Sequence, residues 1–171
     1  MPDSRIVFKY TGMDDAENVA RIRTVFDAHG VGPERIDVLG KTSRRDHLAA
    51  YSLVDVQLDP FPHGGGVTSF EGLLMGVPCV TLFGDRLAGR LTSSFLTTLG
   101  LPNLIAQSLD EYVEIAVHLA DDLEWLARER ATLRGRLLTS PITNCDVYTR
   151  AVESAYRTLW RRWCTERTAG S

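Results

Sequence analysis

An α/β fold built on a doubly wound parallel sheet is what this chain predicts, and two observations carry the prediction. Five short apolar runs alternate with amphipathic segments through Ala106, the rhythm of strands linked by right-handed helical crossovers. Within that alternation, Asp55–Phe83 reads as strand, glycine-rich turn, short helix, strand. This order points a helix N-terminus at the carboxyl end of a parallel sheet, where bare amides favour a phosphate.

The strands are expected at Arg5–Tyr10, Arg35–Leu39, Val54–Asp59, Cys79–Phe83 and Asn103–Ala106. The first helix runs from about Asp15 to His29, with Val19, Ile22 and Phe26 on one face and Gly30 as its stop. Arg44–Tyr51 follows, capped by Thr42 or Ser43, then the short helix after Thr68, then Ala88–Leu99, ended by Gly100 and Pro102. After Ala106 the pattern is all-helical: Leu109–Leu119, Leu123–Leu138 and a last helix from about Asp146 to Cys164. That last helix carries Val152, Tyr156, Leu159, Trp160 and Trp163, a wide aromatic stripe. The stripe either packs on its own sheet or lies against a partner domain.

At 171 residues the chain is read as one domain, an α/β core to residue 106 followed by a helical tail. With 44% hydrophobic and 24% charged residues it has the make-up of an ordinary soluble globular protein. A net charge of −3 gives no footprint for non-specific nucleic-acid binding. No apolar run approaches a membrane span and no secretory stretch opens the chain, so a cytoplasmic setting is expected. Three scattered cysteines, Cys79, Cys145 and Cys164, form no metal spacing, and Cys79 in its apolar run reads as inert packing.

The glycine turn is the candidate site. Gly64, Gly65 and Gly66 allow close approach of backbone to a ligand. Thr68 is placed to cap the helix or bond a phosphate oxygen, and Glu71, about one turn in, to accept hydrogen bonds from a ribose diol. Thr68-Ser69-Phe70-Glu71 equally fits a capping box, in which threonine and glutamate satisfy each other's backbone donors. Pattern alone therefore leaves nucleotide binding and a structural turn both open. The HGGG string matches the oxyanion motif of lipases, but no G-x-S-x-G elbow accompanies it. Gly64-x-Gly66-x-x-Ser69 imitates a dinucleotide fingerprint at the third strand, the wrong place for NAD. His29 and His118 read as structural or surface residues.

The ordered string D-P-F-P, glycine turn, T-x-x-E, M-G-V-P, V-T-L, G-D-R-x-A-G-R, S-x-L-x-x-x-G-L closely resembles the C-terminal catalytic region of O-linked N-acetylglucosamine transferases. The resemblance is especially to bacterial members, which often follow tetratricopeptide repeats, and it runs from Ser4 through Trp160. It implies the C-terminal half of a GT-B fold, binding UDP-N-acetylglucosamine in a cleft with an N-terminal half. Carried over by position, Gly65, Gly66, Val67 and Thr68 hold the diphosphate and Glu71 takes the ribose hydroxyls. His47 lies near the uridine, Gly40, Lys41 and Thr42 meet the uracil, and Arg90 falls in the loop G-D-R-L-A-G-R, which is either a further contact or structural. His63, read from its place beside the glycine turn, is either a ligand contact or a structural or solvent-facing residue. Asp85 shares the Arg90 loop.

The resemblance further implies sugar transfer from a UDP-sugar to a protein serine or threonine hydroxyl, with no cofactor and no metal. The departures are specific. Animal members carry a histidine and two threonines where this chain has Gly66-Val67-Thr68, and an aspartate where it has Glu71. The family's diphosphate-binding lysine lies upstream of this chain's first strand; Lys9 is not that lysine and reads as a solvated strand end or, alternatively, as a residue lining the cleft. An N-terminal half is accordingly expected as a partner, and no catalytic residue is assigned. Two alternatives stay open: a non-catalytic nucleotide-binding or interaction remnant, and a GT-B transferase with a lipid or polysaccharide acceptor.

Overall fold

Every strand pairing among the described residues is parallel. The structure, a computed structural model, describes residues 3–169. The chain divides into two compact units, one ending at Asp55 and the other beginning at Val56. The change from mixed to all-helical character, by contrast, comes after Ala106.

In the first unit, β1 (Ile6–Lys9) pairs with β2 (Ile36–Leu39), Ile6 opposite Ile36 and Lys9 opposite Leu39. The crossover helix α1 (Ala16–Asp27) begins where the Asp15 side chain accepts the Glu17 amide, a helix cap in the usual sense. Val19, Ile22 and Phe26 are its half-buried face, as their spacing predicts, and Phe26 meets Phe8 edge-on at 5.5 Å. Helix α2 (Arg44–Ala49) is capped by Ser43, which accepts the Asp46 amide at 3.2 Å. Among the described residues of this unit, Ile36 is the one that is buried.

The second unit holds the core. Its strands β3 (Gln57–Leu58), β4 (Cys79–Leu82) and β5 (Ile105–Ala106) lie in the order β3-β4-β5. Helices α3 (Val67–Leu74) and α4 (Leu91–Thr98) make the crossovers, followed by α5 (Leu109–Asp121), α6 (Leu123–Thr139) and α7 (Cys145–Ala169). α5 packs on β4 and β5, and α6 on α3 and α5. Leu73, Val80, Leu96, Leu104, Leu133 and Leu137 are fully buried between them. Among the described residues no helix is long and apolar enough to cross a membrane.

All five expected strands form, but β3 and β5 are shorter than their apolar runs. α4 starts later than expected because residues 84–90 form a closed loop ahead of it. The capping box expected at Thr68–Glu71 is not formed as such: Gly66 is the N-cap of α3 and Thr68 lies inside the helix. A comparable pair stands at α5, where Ser108 accepts the Glu111 amide and Glu111 accepts the amide of Gln107. The stripe on α7 does not pack on the sheet of its unit. Tyr156, Leu159, Trp160 and Trp163 are exposed, with Trp160 stacked on Trp163 at 5.2 Å and the Arg167 guanidinium over the Trp163 ring.

Candidate functional site

Asp59 closes β3, and its amide still bonds Val80 O, so the sheet delivers its carboxylate to a fixed place. That side chain is only 3% exposed. Oδ1 accepts the Gly65 amide at 2.8 Å and the Ser69 hydroxyl at 2.7 Å, and Oδ2 accepts the Thr81 hydroxyl at 2.8 Å. The Asp59 carbonyl accepts the Tyr112 hydroxyl at 3.0 Å. A buried carboxylate is tolerable when hydrogen bonds replace its hydration, and here three donors do so.

The turn is built on that anchor. Gly64 donates its amide to Ala88 O at 3.0 Å, which ties the turn to the 84–90 loop. Gly66 has φ +53° and ψ −105°, a backbone state that side-chain-bearing residues rarely adopt, and it redirects the chain into α3. The Thr68 hydroxyl donates to Gly65 O at 2.9 Å. Among the described residues the amides of Gly66 and Val67 make no hydrogen bond, as the first amides of a helix must not within it. With Val67 72% exposed, this end of α3 is open to solvent and offers two backbone donors and the helix dipole to an anion.

The other expected residues fall into place around this frame or away from it. The Gly65 amide is taken by Asp59, so it is not a donor left over for a ligand. Glu71 is 4% exposed and makes its interactions within the protein. His63 is exposed, and its Nδ1 donates to Gly64 O at 2.9 Å, which leaves Nε2 of the neutral ring as an acceptor. Arg90 clamps its own loop: Nε donates to Gly84 O at 2.7 Å while the guanidinium covers the Phe83 ring at 4.8 Å. Asp85, in the same loop, is exposed.

In the first unit, the loop after β2 is likewise held by its own side chains. Lys9 is not a solvated strand end, because its Nζ donates to Gly40 O at 2.6 Å. The Lys41 amide lies 3.2 and 3.1 Å from the two carboxylate oxygens of Asp14 and donates to them. Thr42 is exposed, and His47 on α2 is half-buried with its ring edge-on to Tyr51 at 5.7 Å.

Two groups under the turn are kept neutral. Burial, then Cys79 and Asp59 nearby, push the Tyr112 phenol well above its ordinary range. Burial, then Asp59, likewise push up the Cys79 thiol, which suits the inert packing role expected of it. Sequence reading passed over Asp59, Ser69, Thr81, Tyr112 and Asp14. The signal for Asp59 was an acid ending an apolar strand directly before a glycine turn, a position that only a local partner makes tolerable.

Comparison with known proteins follows the same outline. The model of glycosyl transferase family 41 matches residues 9–152. A tomato (Solanum lycopersicum) protein described as a probable UDP-N-acetylglucosamine–peptide N-acetylglucosaminyltransferase SPINDLY is 41% identical over 165 residues, covering 96% of this chain and 18% of its own length. The UDP-N-acetylglucosamine–peptide N-acetylglucosaminyltransferase of Caenorhabditis elegans is 32% identical over 142 residues, covering 83% of this chain and 12% of its own length. The solved structure of a Thermobaculum terrenum O-GlcNAc transferase mutant superposes with a TM-score of 0.87 at 40% identity, over 96% of this chain and 32% of that one. The chain thus spans 18% of the length of the tomato relative it matches. With the family model matching most of its residues, the chain belongs to glycosyl transferase family 41.

Proposed function

We propose that this chain is the donor-binding part of a glycosyltransferase that moves N-acetylglucosamine from its UDP conjugate to serine or threonine hydroxyls of proteins. The observation that carries the reading is the open N-terminus of α3, where two unbonded amides follow a turn pinned from beneath, in a chain of family 41. Its relatives, named for this activity, are several times longer, so the whole reaction belongs to a protein of their extent.

On this reading the diphosphate lies against Gly66, Val67 and Thr68. Transfer loads negative charge onto the leaving diphosphate, and fixed amides stabilise it without reorganising. The turn contributes dipoles and no cation, so the balancing positive group, the acceptor and the hexose contacts belong to parts outside these residues. This scheme assigns no step to a metal. Glu71 is the proposed ribose partner, although its burial gives it a structural duty as well.

Calorimetric titration of the chain with UDP, with uridine as the comparator, tests the reading. UDP should bind saturably and uridine at least about tenfold more weakly, the diphosphate supplying the difference. Glu71→Gln, which keeps the shape of the side chain, should weaken UDP if its carboxylate meets the ribose. A folded chain that ignores UDP would remove the nucleotide assignment.

A further inference from the structure

We propose that Asp59 is the positioning residue of the phosphate-binding turn, holding the Gly65 amide and the Ser69 hydroxyl so that the amides of Gly66 and Val67 face the diphosphate. The inference rests on the nucleotide-binding reading above and adds to it a residue, a geometry and a division of labour among the amides.

Asp59 joins four pieces of the unit. It directly follows β3, and its carboxylate bonds the turn through Gly65, α3 through Ser69 and β4 through Thr81. Its carbonyl bonds α5 through Tyr112. Gly66 therefore lies between a residue fixed by Asp59 and a helix fixed by Asp59, and its positive φ is set from both sides. Preorganisation of this kind is what makes backbone dipoles effective, because they need not turn when charge arrives.

An acid below a phosphate site is electrostatically adverse, since it repels the ligand it is near. Among the described residues no ion pair is formed by Asp59. A neutral acceptor meeting the same donors would bind the anion without that repulsion, which gives Asp59 a test that separates geometry from charge. In Asp59→Asn, the amide oxygen still accepts from Gly65 and Ser69, and the amide nitrogen donates to the Thr81 hydroxyl, which can accept. In Asp59→Ala the Gly65 amide loses its acceptor. In Ser69→Ala one of the two bonds to Oδ1 is lost while the core is otherwise kept.

The experiment is UDP titration of the full chain and these three variants, each checked for native fold by ¹H–¹⁵N spectra, with hydrogen exchange of the Gly65 amide read from the same samples. Asp59→Ala should weaken UDP by about tenfold or more, and Ser69→Ala by a few-fold. Asp59→Asn should recover most of the affinity that Asp59→Ala loses. Gly65 exchange should speed up in Asp59→Ala and return toward wild type in Asp59→Asn. A natively folded Asp59→Ala chain that binds UDP like wild type overturns the positioning role and leaves the nucleotide reading standing. If Asp59→Ala fails to fold, Ser69→Ala decides, and unchanged UDP affinity there overturns the proposal. A wild-type chain that is folded but does not bind UDP removes the nucleotide reading and this inference with it.

Discussion

Asp59 accepts the backbone amide of Gly65 at 2.8 Å from a side chain that is 3% exposed. The bond takes one amide of the glycine turn out of use and makes the next two more useful, because it fixes the plane from which they project. A flexible glycine turn meets a phosphate only after losing conformational entropy; a turn already ordered by a buried acceptor has lost it on folding.

Tyr112 shares that frame, and Tyr112→Phe isolates its contribution. The substitution removes the hydroxyl bonded to Asp59 O and keeps the ring that meets Phe61 edge-on at 5.4 Å. A loss of about 1 kcal/mol is expected in denaturant unfolding. The phenol also sets a pH dependence, since its pKa in the fold is raised above the unfolded value. Its stabilisation is fully present below about pH 10, the unfolded value, and is lost as pH rises through the folded one. Wild-type stability should therefore fall more steeply with alkali than that of the phenylalanine variant.

Gly66→Ala places a Cβ on a residue with φ +53° and brings it to 3.4 Å from Leu91 Cδ1. The backbone strain alone is expected to cost about 1–3 kcal/mol. A urea midpoint equal to wild type would show that the turn relaxes to another conformation instead.

Leu133→Ala tests the core of the second unit. The side chain is fully buried on α6 in the main apolar cluster, so a loss of about 2–5 kcal/mol is expected from the cavity and the lost transfer energy. Thermal and denaturant unfolding followed by circular dichroism would measure it.

Arg5, just before β1, and Asp37 of β2 form an exposed pair at 2.7 Å. Hydrogen bonding from Arg5 holds the Asp37 carboxyl below its usual range. Its stabilisation is present above the unfolded carboxylate value of about 4 and is lost as pH falls through the lower folded value. Asp37→Asn should flatten that acid limb, and its effect at neutral pH should be small and shrink with added salt, as exposed pairs are solvated and screened. Unfolding curves of both proteins at two salt concentrations and across the acid range would check the sign.

Periodicity located β1, β2 and β4 and the helices α1, α5 and α6 to within a few residues, because each depends on a repeating contact between neighbours along the chain. The ends of β3 and β5 were not legible, since an apolar run says where a strand can lie and only its partners say how much of it pairs. The same limit hid the true cap of α3: Thr68 and Glu71 satisfy a local pattern, but the chain enters the helix earlier, at Gly66, once Gly65 is pinned from outside the segment. The exposed stripe of α7 is a similar case, its apolar spacing plain in sequence and its lack of cover a matter of tertiary packing.

By itself the sequence determined the parallel α/β class, the glycine turn and its helix, and the ordered motifs that family 41 shares. These are properties of residue type and spacing, which local sterics and burial translate directly into backbone. Only the tertiary structure decided which amides of that turn remain free and which group holds the others. Asp59 reaches Ser69 and Thr81 across 10 and 22 residues of chain, and Tyr112 reaches back to it across 53. No local pattern encodes bonds of that span, because they exist only after the strands have paired and α5 has docked upon them.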